Sequence, residues 1–270
     1  IEELGIDNNT VHLLNNYAHF TAFSMSDLTS ARQILESIMD IPNLENNDMG
    51  ECKLVYADVM LLSGNIWSSL LYYSQVEKEH KESPLGHEAK LRRAKIFYYQ
   101  GDFNWAQSQL DVLKSSTSKL ISNDAMDLSL LITDNLNLDT SSVPMEMYAR
   151  SDLLFYQNKF DESIILLDSI LNLFPGHSLI DEIYFRKYEI YNIKNEVNKS
   201  IEMLELIVSY YSYDILKDDA LFNLAQIYEY KKSDLEKAFY YYETILMECS
   251  GSIYTAESRK KYRELRDDLL

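Results

Sequence analysis

Apolar positions recur along this chain with helical rather than strand period, in blocks separated by short turn signals. The segment AKIFYYQGDFNWAQSQL, residues 94 to 110, has apolar or small residues at helical spacing on both sides of a Gly101-Asp102 break. This predicts two helices joined by a tight turn. Aligning the break, the apolar residue that closely follows it and the small residue five on gives six matches. Their small residues are Ala31, Ser69, Ala106, Ser163, Ser200 and Ala238, so the intervals are 38, 37, 57, 37 and 38. An earlier small or aromatic position precedes each break, read as His19, Ala57, Ala94, Ser151, Tyr188 and Ala225. Large apolar residues follow each small residue by four (Leu35, Tyr73, Leu110, Leu167, Leu204, Tyr242) and by seven (Ile38, Val76, Leu113, Ile170, Ile207, Ile245). The i, i+4, i+7 spacing defines one face of a helix.

The physical logic is a hairpin of antiparallel helices. Gly or Asn ends the first helix in a left-handed conformation, Asp or Ser caps the second, and small residues let the pair approach closely. One hairpin cannot bury its apolar faces alone, so successive hairpins must stack. The 57-residue interval holds about one period plus an insertion, and residues 119–137 have their own helical pattern at Leu120, Met126, Leu130 and Leu131. LDTSSVP then reads as a loop, with Pro144 opening the next helix. The last unit has one extra residue before Ala238. In SIYTAESRKKYRELRDDLL a capping helix is predicted, with Tyr254, Ser258, Tyr262 and Leu265 turned toward the last hairpin. The predicted organisation is therefore three hairpins over 1–118, an inserted helix and loop over 119–142, three hairpins over 143–250 and a cap over 251–270.

The unit at residues 87–118, with Ala94, Phe97, Gly101-Asp102-Phe103, Ala106, Leu110 and Leu113, resembles the tetratricopeptide repeats, and Pro175 in LNLFPGH matches that family's closing proline. The resemblance implies an all-α fold, an α-α superhelix or solenoid of about six hairpins with a C-terminal cap. It also implies that the first helix of each hairpin lines a concave surface that receives an extended peptide or a helix. Carried over by register, the lining comprises Tyr17 and Phe20; Val55 and Asp58; Arg92, Lys95 and Tyr99; Tyr148, Asp152 and Phe155; Phe185, Arg186 and Glu189; and Asn223, Gln226 and Tyr230. For Arg92 and Lys95 two readings stand: an anion contact, or helical charge balance with acids such as Glu88. The positions that would form a chaperone-tail carboxylate clamp hold Leu54, Asp58, Arg92, Met145 and Ala149, so that clamp is absent.

Charge narrows the partners. A formal net charge of −18 opposes an undirected grip on nucleic-acid phosphates and fits either a solvated acidic surface or selection of a basic partner. No apolar run is long enough to span a membrane. Cys52 and Cys249 lack metal-ligand spacing and read as buried small hydrophobes. The segment contains no phosphate-cradling glycine cluster, nucleophile elbow or HExxH, and its five histidines are scattered; neither catalysis, a cofactor nor a metal site is predicted. The 21 tyrosines, many in doublets, predict one ring of each pair between helices and the other at an edge or groove.

The functional expectation is a scaffold or adaptor that binds a partner protein or peptide. The closing segment YYETILMECSGSIYTAESRKKYREL is similar to repeat proteins of the Gram-negative cell envelope, which implies a bacterial, periplasmic or envelope-assembly setting. A cytoplasmic peptide-binding regulator, the helical accessory region of a larger protein, and an array self-associating through its ends remain open. The chain opens at Ile1 without methionine or a signal-peptide pattern, which predicts a trimmed piece of a longer protein with IEEL as the tail of an upstream helix.

Overall fold

A computed structural model describes residues 5, 7–136, 141–211 and 215–269, so IEEL and the first residues of the predicted 138–144 loop lie outside the described residues. Among the described residues the chain is all α, without strands. It divides into two compact units, Ile1–Lys159 and Phe160–Leu270. The first contains α1 (Val11–Phe23), α2 (Leu28–Met39), α3 (Asn46–Leu62), α4 (Ile66–Glu79), α5 (Pro84–Tyr99), α6 (Phe103–Leu113), α7 (Lys119–Leu136) and α8 (Val143–Tyr156). In the second are α9 (Phe160–Leu173), α10 (Ile180–Ile193), α11 (Val197–Tyr210), α12 (Lys217–Gln226) with a π-helical continuation over Ile227–Lys231, α13 (Leu235–Glu248) and α14 (Thr255–Leu269).

Helices joined by short turns pack on one another within each unit, and the repeat positions explain why. All six small residues and all twelve large apolar residues that follow them by four and seven are 0–1% exposed. A seam of Ala or Ser brings two backbones close while Leu, Ile and Tyr fill the space beyond. The turns are equally regular. Gly64 and Gly101 are left-handed, at φ 86° and 80°, and Asp102 N–H returns to the Phe97 carbonyl at 2.9 Å, five residues back. Asp102 then caps α6 by accepting from Trp105 N–H, as Asp27 caps α2 and Asp234 caps α13.

Two hairpins depart from this register in the same way. Asp234 N–H bonds the Tyr228 carbonyl and Asp27 N–H the Thr21 carbonyl, in each case six residues back. The extra residue before Ala238 is absorbed by the π-helical turn at Ile227–Lys231, and α1 has an equivalent extra residue. This corrects the first unit's assignment: His19 is exposed, and the small residue buried in its place is Ala18, at 0%. Ser26 and Ser233, which close these longer turns, are held left-handed at φ 57° and 54°. An L side chain is strained there, so Ser233→Gly is expected to raise stability by about 0.5–1 kcal/mol, measured as a higher unfolding midpoint. An unchanged or lower midpoint would contradict the strain.

α7 packs on α6 through Ile121, Ala125, Ser129 and Ile132, whereas Leu120, Met126 and Leu130 are exposed. The buried stripe is therefore rotated from the predicted one: small Ala125 and Ser129 take the contact, and the larger residues beside them cannot approach as closely. Tyrosine doublets divide as their angular separation requires, with Tyr73, Tyr98 and Tyr242 buried and Tyr72, Tyr99 and Tyr241 at edges. Cys52 is buried and Cys249 half-buried. In the second unit α14 seals α13 with buried Ser258 and Leu265 and stacks Tyr262 on Phe239. Lys261 fastens it to Glu229 of the π-helical turn at 2.7 Å.

Candidate functional site

Pro84 behind the Ser83 cap starts α5 cleanly, with Ser83 Oγ accepting from Gly86 N–H at 3.2 Å. From there Glu88, Arg92, Lys95 and Tyr99 follow at i, i+4, i+7 and i+11, one stripe of the helix. That stripe is one wall of a concave pocket of about 290 Å³ in the first unit. Opposite it stand His19 and Phe23 of α1, Asp58 and Leu61 of α3, and Tyr73 of α4, with Tyr156 of α8 completing the wall.

The floor is an ion pair that also takes a tyrosine hydroxyl. Asp58, 7% exposed, accepts from Arg92 Nη1 and from Tyr73 Oη, and Tyr156 lines the cavity with them. Arg92 Nε donates to Glu88 Oε1 at 2.8 Å. Burial pushes Asp58 above its ordinary carboxylate range, against the pull of the Arg92 guanidinium and the Tyr73 hydroxyl. Burial likewise raises the Tyr73 and Tyr156 phenols, so both stay protonated, and Tyr73 donates to Asp58. Lys95 stands at the rim, 3.8 Å from Asp124.

α8 determines how narrow the pocket is. Tyr98 Oη donates to Asp152 Oδ2 at 2.7 Å, and Gln157 Nε2 reaches the Leu61 carbonyl at 3.0 Å. These bonds bring the last turn of α8 across the open side of the hairpins, where Tyr156 meets Phe23 edge-on at 6.0 Å. A cavity of this size accepts a side chain or another small group.

The predicted lining residues divide accordingly. Arg92, Lys95 and Tyr99 come together at the pocket. Arg92 is balanced by Glu88 and Asp58 and faces the cavity. Asp58 belongs to the floor and is no free groove residue. Tyr148 and Asp152 are buried, 3% and 7% exposed, because α8 packs that face on α5; this corrects their assignment to an open groove. Phe155 is half-buried and is not among the pocket's lining residues. Phe185, Arg186 and Glu189 lie on α10 of the second unit, where Phe185 packs beside Tyr188 with ring centroids 5.4 Å apart and Arg186 pairs with Glu189 at 2.6 Å. Tyr17, Phe20 and Tyr230 are exposed, while Asn223 accepts a hydrogen bond from Tyr188 Oη.

Two pocket residues absent from the register-based lining had a signal in the sequence. Tyr156 precedes its turn residue Asn158 by two, as Tyr99 precedes Gly101; Phe23 precedes Ser26 by three, the difference being the extra residue of that hairpin. One repeat position thus places three rings at one cavity. Among the described residues, no three or more His, Cys, Asp or Glu side chains are grouped to hold a metal ion, and no helix is long and apolar enough to cross a membrane.

Helix order and repeating seams define an all-α array of tetratricopeptide-like hairpins. Solved structures similar to it include a tetratricopeptide repeat protein from Parabacteroides merdae, at 12% identity and TM-score 0.41, covering 96% of this chain and 99% of the other. The P58(IPK) TPR domain is 13% identical at TM-score 0.36, covering 96% of this chain and 66% of the other. PilF of Pseudomonas aeruginosa is 10% identical at TM-score 0.35, with coverage of 96% and 98%. No protein-family model matches the chain, and no curated protein does.

Proposed function

We propose that this chain is a non-catalytic scaffold or adaptor that recognises a partner protein through the pocket of its first unit. The observation carrying this reading is the convergence of Phe23, Tyr99 and Tyr156 around the Asp58–Arg92 floor. Aromatic walls with a few fixed polar groups are the composition of a recognition site. The partner engages the rim at Lys95 and Tyr99 and inserts one group into the cavity. An envelope-assembly setting belongs to the same proposal and is supported by the resemblance of the closing segment to envelope repeat proteins.

The test is affinity capture from the native organism with the wild type and with Lys95→Glu/Tyr99→Ala, which leaves the ion pair intact. Capture of a specific partner is expected to fall about tenfold or more in the variant while its circular dichroism is unchanged. Equal capture by both proteins would remove the pocket from the function. Fractionation of the same cells tests the setting: the proposal expects the protein in the envelope fraction, and a wholly cytosolic distribution would overturn that part.

A further inference from the structure

We infer that the pocket is a receptor for a tyrosine side chain presented by the partner protein. This rests on the reading of the pocket as the recognition site and adds the chemistry of what enters it. Charge is the first argument. Asp58 and Glu88 are offset by Arg92 and Lys95, so the ionised lining has no net formal charge. A guest carboxylate meets two acids, and a guest ammonium or guanidinium meets two bases. The lining favours an uncharged guest despite the strongly acidic chain.

The second argument is shape. Phe23, Tyr99 and Tyr156 offer ring surfaces from three helices, and a cavity of about 290 Å³ has room for one ring. Aromatic guests gain from offset or edge-on packing against such walls beyond their area alone. Asparagine and glutamine would leave that surface uncovered.

The third is hydrogen bonding. Arg92 uses Nη1 and Nε for its two carboxylates, and Nη2 bonds nothing among the described residues. Glu88 uses Oε1, and its Oε2 bonds nothing among them. A free donor and a free acceptor on neighbouring side chains suit a guest tip that both accepts and donates. A phenol hydroxyl does both, an indole N–H only donates, and a phenyl ring does neither. Phenylalanine would shut water away from both groups without replacing its bonds, the kind of loss by which a polar site rejects an apolar analogue.

The probes are N-acetyl-tyrosinamide, N-acetyl-phenylalaninamide, N-acetyl-lysinamide and sodium N-acetyl-aspartamide, titrated into the whole chain and followed by the 15N–1H signals of Arg92 Nε and the Tyr99 amide. N-acetyl-tyrosinamide is expected to give saturable shifts with a Kd on the order of millimolar. N-acetyl-phenylalaninamide is expected to bind about tenfold more weakly, and the two charged probes more weakly still. Tyr99→Ala should abolish saturation while leaving the remaining spectrum dispersed, and Tyr99→Phe should retain it. Tyrosinamide shifts that stay linear to the solubility limit, equal binding of phenylalaninamide, or tighter binding of a charged probe would overturn the inference. If capture of a partner through Lys95 and Tyr99 succeeds while these titrations fail, the site stands and the tyrosine assignment falls; failure of capture as well removes both.

Discussion

Replacing Arg92 by methionine is expected to lower the stability of the first unit by about 3–5 kcal/mol, the range for removing one partner of a buried ion pair. Asp58 would then remain buried with only the Tyr73 hydroxyl, and Glu88 would lose the guanidinium it pairs with. The double replacement Asp58→Asn/Arg92→Met should cost less than Arg92→Met alone, because it removes the stranded charge together with its partner. The effect has a definite pH sign. Burial already raises the folded-state pKa of Asp58, and loss of the guanidinium raises it further. A carboxyl with a raised folded pKa binds its proton more tightly when folded. Its favourable contribution is complete below the unfolded pKa and is lost as pH rises through the folded one. The deficit of Arg92→Met relative to wild type should therefore shrink as pH is lowered from neutrality toward 4. Urea unfolding across that interval measures it, and a deficit independent of pH would place the loss elsewhere than Asp58.

Gly86→Ala is the second large effect. A Cβ on Gly86 would lie 2.1 Å from the carbonyl oxygen of His80, a backbone atom at the end of α4 that cannot turn aside. The turn joining α4 to α5 must open, and the expected cost is about 3 kcal/mol, at the upper end for overpacking. Gly50→Ala is the informative comparison. Its Cβ would meet the His80 ring and a Leu85 methyl at 2.6 and 2.7 Å, and both are side-chain atoms that can move. With about 1 kcal/mol of helix propensity returned by alanine, that variant should be close to neutral. Thermal unfolding of the pair decides the matter: similar midpoints would mean that the α4–α5 turn is softer than its geometry implies.

Much of this fold is legible in the sequence because the repeat is written in size. Ala106, Leu110 and Leu113 and their equivalents specify small, large and large at fixed spacing, and burial follows that code in every hairpin. The register of the first hairpin is harder to read. A one-residue insertion moves the small position from His19 to Ala18, as the hydrogen bond from Asp27 to Thr21 and the burial of Ala18 reveal. On α7 the large residues suggested one face, but close helix approach selects the smaller one beside it. The pocket was half legible. Arg92, Lys95 and Tyr99 share a helix stripe, so spacing alone unites them. Asp58 and Tyr156 are each marked by the repeat register, but the pairing that brings Asp58 to Arg92, 34 residues away, is a tertiary contact that no local pattern records.

On the proposed function, the concave pocket of the first unit, rather than the outer surface, meets the partner. A photo-crosslinking residue at position 99, compared with one at the exposed Trp67, tests it directly. One specific crosslinked protein from position 99, and none from position 67, is the predicted result. The same products from both positions, or a specific product from position 67 alone, would contradict it.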